Sequence, residues 1–369
     1  MPRVLSVGIV LPANHMGGPQ KVSTIAALDL ARHGHHVSLF LPVLPYHYYF
    51  VSLGRNRLAW LRAVLPYVRD WARGSKFNFQ DIQDSPHQIS VRFIARKIPA
   101  KYLKELDYLI IHSIAQLAEY KDSFPQQRQI YLLHHPEEHI HGHADEFSEM
   151  RRSFQGKIVT ISPFTAGQVA DHLPDPPVAL NPISPIVWSQ RISFDPERRR
   201  RDVLFFWKEA TTGAQGSEVA KNLLERRPGT TLTIWCRNRK QHETAARKFP
   251  EAKMVLSLSE EELSQLYMDH SFLLFPSVYE GFGMPPVEAM ACGCIPVLRP
   301  GVGVADLYAR DGENSVAWQG DPDALAQRVA ALLDDCQRLP PMRRAAAMSI
   351  DAFNPEGYGL RLLEAGGAL

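Results

Sequence analysis

The chain has 369 residues, 45% hydrophobic and 22% charged, with 41 Lys and Arg against 39 Asp and Glu. That length suits two domains of roughly 150–200 residues, and the balance is that of a soluble globular chain. A net charge of +2 carries no footprint for nucleic acid, and no apolar run approaches the ~18 residues that span a bilayer.

The opening "MPRVLSVGIVLPANHMGG" lacks the cleavage pattern of a signal peptide. It is expected to form a β-strand running into a loop. "GGPQKVSTIAALDLARHG" sets Val22, Ile25, Ala26 and Leu28 at helical spacing, with Gly34 as the stop. "HVSLFLP" is the next strand. From Leu53, "LGRNRLAWLRAVLPYVRDWARG" puts Leu58, Leu61, Val64, Leu65, Val68 and Trp71 on one side of a helix that Pro66 interrupts. Arg55, Arg62, Arg69 and Arg73 surround them. Two readings stand: a core-packed helix with a solvated basic face, or a surface helix drawn to anionic lipid head groups.

"LDYLIIHS" and "RQIYLLHH" are further strands. "HHPEEHIHGH" holds five histidines, and one functional imidazole in a loop explains it better than a metal site. "GKIVTISPF", the helical "TAGQVADHL" and the run "PVALNPI" follow. Strand–helix repetition at this pitch implies a parallel sheet covered on both faces.

Residues 174–201 are rich in proline and arginine and read as the interdomain connection. The arginines are a solvated face or a phosphate contact. A second alternation follows. The strands "DVLFFWKE", "TTLTIWC", "KMVLSLS", "SFLLFPS" and "IPVL" are interleaved with the helices "GSEVAKNLLERR", "SEEELSQLYMDH", "MPPVEAMACG" and "DPDALAQRVAALLDD". The expected class is α/β: two Rossmann-like, doubly wound parallel-sheet domains facing a cleft, with ligands outside the carboxyl ends of the strands. Cys236, Cys292, Cys294 and Cys336 have no zinc spacing and are expected to be small, buried, reduced thiols.

The stretch "PSVYEGFGMPPVEAMACGCIPV", residues 276–297, places Glu280 and Glu288 on either side of a Gly-Phe-Gly turn and a Pro-Pro pair. Glu280 follows a strand, so it lies at its carboxyl end. Gly281 and Gly283 let backbone approach a ligand. Pro285 or Pro286 suits a first helical turn, whose free N–H groups favour phosphate. A carboxylate beside a phosphate repels it, so Glu288 suits hydroxyls such as a ribose diol. Glu280 suits a second polyol. A phosphate site between two hydroxyl-binding carboxylates fits a nucleotide-sugar.

This segment resembles the donor-site signature of retaining GT-B glycosyltransferases, the large group often called family four. "GGPQKVSTIAALDLARHGHHVSLF", "YLLHHPEE", "IVTISPFTAGQVA", "LSEEELSQLYMDHSFLLFPS" and "DLYARDGENSVAW" resemble further family segments in the family's order. The resemblance implies that Glu288 holds the donor ribose and Glu280 the donor sugar. The backbone of Gly281, Phe282, Gly283 and Met284 would line sugar and diphosphate. Gly17 and Gly18 would close on the diphosphate. His134, or His135 one register on, would lie near the anomeric carbon. The family usually carries an arginine and a lysine on the diphosphate. Here "FFWKEATTGAQG" gives Lys208 for the first and Thr212 or Gly213 for the second, with Arg237 or Lys21 as compensating cations.

The implied function is transfer of a hexose or deoxyhexose from a nucleoside diphosphate sugar to a glycan or lipid-linked acceptor, with retention. No metal and no other cofactor is expected, because the helix dipole and side-chain cations do the work of Mg²⁺. The domains are expected at 1–182 (acceptor), 183–345 (donor) and 346–369, the last crossing back to the first domain. The expected location is the cytoplasm, with the helix from Leu53 as a peripheral contact to an anionic membrane. A GT-B epimerase, a phosphorylase or a non-catalytic binding subunit are the alternatives.

Overall fold

The computed structural model describes residues 3–13, 17–46, 65, 68, 82, 85–87, 89–136, 144–198, 200–208, 211–256 and 258–369, with the backbone alone at 211–214. The chain forms two compact units, Met1–Pro182 with Pro355–Leu369, and Ile183–Asn354.

The first unit holds β1 (Ser6–Val10), β2 (His36–Pro42), β3 (Ile89–Ile94), β4 (Tyr108–Ile111), β5 (Gln129–Leu133) and β6 (Lys157–Thr160). Their order is β3-β2-β1-β4-β5-β6, and every pairing is parallel. The second unit repeats this arrangement. Its β7 (Arg201–Phe206), β8 (Leu232–Cys236), β9 (Lys253–Leu256), β10 (His270–Leu274), β11 (Ile295–Leu298) and β12 (Val316–Ala317) lie in the order β12-β11-β10-β7-β8-β9, again parallel. Each sheet reverses its winding once, between β1 and β4 and between β7 and β10. Ligands of such sheets bind beyond the carboxyl ends at that reversal.

The central strands are apolar on both faces, as a helix-covered sheet requires. β10, HSFLL, is buried at all five positions, and β5, QIYLL, likewise. Val203, Phe205, Ile234, Phe272, Leu274 and Val297 form the middle of the second core. Val10, Phe40, Leu109, Ile111, Tyr131 and Leu133 do so in the first.

Several expectations shift. "PVALNPI" contributes only a bridge between Thr160 and Val178. The supposed connection 174–201 is packed structure from Ile183 onward: the helix Pro185–Ser189 belongs to the second unit and buries Val187. Nor is the arginine run wholly a solvated face. Arg200 donates to the carbonyls of Cys292 at 2.9 Å and Gly293 at 3.0 Å. It thereby places a cation at the negative end of the helix Met284–Ala291. Cys236, Cys292 and Cys294 are buried, but Cys336 is exposed. Leu65 and Val68 are helical and exposed, and the rest of the helix expected from Leu53, like residues 137–143, lies outside the described residues.

Candidate functional site

In the second unit the reversal between β7 and β10 brings Lys208 and Glu280 together. Lys208 follows β7 and Glu280 lies in the loop after β10. The Lys208 ammonium donates to Glu280 Oε1, and the buried Ser277 hydroxyl donates to the same oxygen at 2.6 Å. Both side chains of the ion pair are about one-fifth exposed (23% and 19%), so the pair is open to a ligand and only partly screened.

Gly283 turns the chain into the following helix. Its φ of 86° and ψ of 56° are left-handed, a conformation that a Cβ disfavours by roughly 1–2 kcal/mol. A Cβ there would meet Glu280 no nearer than 3.7 Å, so conformation alone demands glycine. The helix Met284–Ala291 then starts with prolines in its first turn, where a missing N–H does no harm. Phe282 points inward, edge-on to Phe353 at 5.7 Å. Its carbonyl accepts from Val304 N–H at 3.0 Å.

Glu288 is the fifth residue of that helix, one turn deeper than its first turn. It is only 3% exposed, and the Tyr267 hydroxyl donates to its Oε2 at 3.2 Å. Burial, then the Glu288 charge, pushes the Tyr267 phenol well above its ordinary pKa. Tyr267 therefore remains a donor that orients the carboxylate.

Among the cations, Arg237 follows β8, exposed, with its guanidinium 4.9 Å from the centre of the Phe206 ring. Arg299 follows β11. It lies over the Trp318 ring at 4.4 Å and donates to Gln215 Oε1 at 2.5 Å. It also borders a small cleft with Phe275, Ser277 and Gly283. Gln215 belongs to the helix Thr211–Arg226, whose first residues include Thr212 and Gly213, where side chains are outside the described set. Arg299 thus contacts the helix that carries the positions expected to hold the second cation. The triplet Asp321-Pro322-Asp323 is occupied structurally: Asp321 caps the helix Pro322–Asp334 and Asp323 pairs with Arg226. Among the described residues no three His, Cys, Asp or Glu side chains are grouped to hold a metal.

In the first unit Gly17 caps the helix Gly18–Arg32, and a Cβ on Gly18 would meet nothing within 4 Å. Lys21 lies in that helix, half-buried. His134 follows β5. It is 7% exposed, and its Nε2 lies 3.0 Å from His112 Nδ1. The two ring centres are 5.2 Å apart and the ring planes differ by 26°, so the rings meet edge to edge through these nitrogens. His135, the alternative in register, is half-buried.

Residues 217–349 match the family model described as Glycosyl transferases group 1. The match is to that segment alone, 133 of the 369 residues (217 to 349), which is similar to this family. Curated relatives include a D-inositol 3-phosphate glycosyltransferase of Catenulispora acidiphila, 37% identical over 93 residues, 25% of this chain and 22% of that protein. Another is a GDP-mannose:cellobiosyl-diphosphopolyprenol alpha-mannosyltransferase of Xanthomonas oryzae pv. oryzae, 30% identical over 99 residues, 27% of this chain and 26% of that one. The matched stretch thus spans about a fifth to a quarter of these relatives' length. Solved structures resemble the whole chain. A glycosyltransferase from Rickettsia africae has a TM-score of 0.68 at 13% identity, covering 98% of this chain and 99% of that one. Anabaena HepE in complex with UDP and glucose has a TM-score of 0.65 at 16% identity, covering 99% and 100%. The fold is GT-B.

Sequence reasoning named Lys208, Glu280, Glu288, the Gly281–Met284 turn, Gly17, Gly18, Arg237 and His134. It missed Ser277, Tyr267, Arg299, Ser23 and His112. Two of these carried a positional signal: His112 directly follows the apolar run of "LDYLIIHS" and Arg299 follows "IPVL", each just past the carboxyl end of a strand.

Proposed function

We propose that the chain transfers a hexose or deoxyhexose from a nucleoside diphosphate sugar to a glycan or lipid-linked acceptor, with retention of anomeric configuration, in polysaccharide or glycolipid biosynthesis. The observation that carries this reading is the segment from Glu280 to Glu288. A carboxylate held by Lys208 and Ser277, a left-handed Gly283, a helix start and a second, buried carboxylate follow one another inside the stretch matched to group 1 glycosyltransferases.

In this reading Glu280 accepts hydroxyls of the donor sugar, and Glu288, oriented by Tyr267, accepts those of the ribose. The diphosphate takes its positive partners from Lys208, Arg299 and the N–H groups at the helix start, supported by Arg237. Such fixed charges stabilise a leaving group far more than solvent does. Gly17, Gly18 and His134 keep in this reading the roles that the family resemblance implies for them. The bond from the anomeric carbon to the diphosphate breaks while the acceptor oxygen bonds to that carbon on the same face, and the acceptor proton passes to the leaving phosphate oxygen. A chelator is expected to leave the rate unchanged, since side chains and helix carry the charge. A relative's name supplies the acceptor class: the Xanthomonas enzyme uses a diphosphopolyprenol-linked acceptor. No helix among the described residues is long and apolar enough to cross a membrane. The reading is a cytoplasmic chain that touches an anionic membrane peripherally, for which the exposed Leu65 and Val68 are the support.

One alternative has an observation of its own. Lys208 is engaged with Glu280 and the second expected cation is absent from Thr212 and Gly213, as in a binding subunit that keeps the fold. Incubation with uridine, guanosine, adenosine and thymidine diphosphate sugars separates the two. Release of nucleoside diphosphate without acceptor is expected for the transferase, and an intact donor from every base sinks it. The anomeric proton of the transferred sugar then reads the stereochemistry.

A further inference from the structure

Two side chains, Ser23 and His112, line up behind His134. Ser23 Oγ, on the helix Gly18–Arg32, donates to the Pro19 carbonyl at 2.7 Å. Its proton being used there, the oxygen offers a lone pair to His112 Nε2 at 3.0 Å, so His112 carries its proton on Nε2 and leaves Nδ1 bare. That bare nitrogen faces His134 Nε2 at 3.0 Å, which must therefore be the protonated one. The backbone of His112 is itself pinned. Its N–H donates to Gln116 Oε1 at 2.6 Å, and the Gln116 amide donates to the carbonyls of Val10 and Leu11 at 2.9 Å and 3.0 Å. Ser23, His112, Gln116 and His134 are all buried. Burial lowers His112 to a pKa of about 3. It also lowers His134 well below the ordinary value, with the His112 and His135 charges adding to it, so both rings stay neutral and the chain of donors has one direction.

We propose that Ser23 and His112 are positioning residues that lock His134 in a single neutral tautomer, Nε2 protonated and Nδ1 bare, so that His134 presents a hydrogen-bond acceptor to a substrate hydroxyl. The ring nitrogen left for the substrate is set by the bond the other nitrogen makes. The same relay ties His134 to the first turn of the helix that Gly17 caps, since its origin is the Pro19 carbonyl. The tautomer itself follows from these contacts alone, whereas its use in transfer rests on the reading of His134 as a donor-sugar residue.

Ring-¹⁵N NMR of the whole protein reads the tautomer, with the His134 signals assigned by their loss in His134→Gln. Wild type should show one neutral His134 with a protonated Nε2 and a bare Nδ1. Ser23→Ala lets His112 protonate on Nδ1, and His112→Phe removes the acceptor; each should give a mixed or reversed His134. His112→Asn puts an amide oxygen near the lost Nδ1 and should keep the wild-type pattern. An unmoved His134 tautomer in Ser23→Ala overturns the proposal, and so does a wild-type His134 protonated on Nδ1. If His112→Phe fails to fold, Ser23→Ala decides alone. In transfer, Ser23→Ala should lower kcat by roughly tenfold or more with the donor KM unchanged, and Ser23→Thr should restore it. A shifted tautomer with an unchanged kcat would leave the relay standing and remove His134 from the donor sugar.

Discussion

At the residue scale the site turns on one carboxylate shared by two donors. Glu280 accepts from Lys208 and Ser277, so Lys208 holds Glu280 in place, and in the proposed function it also answers a diphosphate. Lys208→Ala should therefore lower turnover about 10²-fold or more, in the range of a lost transition-state donor. Arg299→Ala should lower it less, because Arg299 also leans on Trp318 and Gln215. Steady-state rates of the two variants test this, and near-normal turnover in Lys208→Ala would move its role to Arg299 or Arg237. Buried histidines weigh on acid stability. Burial lowers His112 to about 3 and His270 to about 4 from 6.5, and lowers His134 well below the ordinary value, while the unfolded chain takes up protons near that value. Their contribution to stability is whole above about pH 6.5 and is lost as pH falls from there towards about 3. Denaturant melts across that range should show the loss. His270→Asn, which keeps a donor for the Leu266 carbonyl, should flatten the slope; an unchanged slope would acquit His270. Glu280, Glu288 and His134 were legible in the sequence because strand ends, glycines and prolines surround them. Ser277 and Tyr267 were not, since a hydroxyl that supports another residue leaves no spacing signal, and His112 had only its place at a strand end.

At the element scale the interior strands announced themselves and the edges did not. β4, YLII, and β10, HSFLL, are continuous apolar runs. β3, ISVRFI, is a half-exposed edge carrying Arg92, and β12 is two residues long; neither has a pattern that separates it from a loop. The turn into the helix Met284–Ala291 is the element on which the donor reading rests. Gly283→Ala should cost about 1–2 kcal/mol in denaturant stability through its left-handed φ alone. It should also weaken nucleotide binding, because the helix start shifts. A variant as stable as wild type would mean the turn relaxes at no cost.

At the scale of the whole molecule, the chain ends on the unit with which it began. The helix Tyr358–Ala365 packs on the helix Gly18–Arg32 through Gly359, where a Cβ would lie 2.6 Å from Leu30 Cγ. Buried Asp29 accepts the N–H groups of Gly357 at 2.8 Å and Gly359 at 2.9 Å, capping the last helix from 328 residues away in sequence. Asp29→Ala should cost about 1–2 kcal/mol and speed amide exchange in 355–369. Unaltered exchange there would show that packing alone holds the segment. That long-range cap had no sequence signature, whereas the repeated strand–helix alternation made both sheets readable. We propose that the Glu280–Glu288 segment binds a nucleoside diphosphate sugar. This is tested most directly by calorimetric titration of uridine, guanosine, adenosine and thymidine diphosphates into wild type and Glu288→Ala. One base should bind wild type and bind Glu288→Ala more weakly by about 1.5–3 kcal/mol, roughly ten- to a hundredfold. No binding by wild type, or equal affinity in the two proteins, would contradict it.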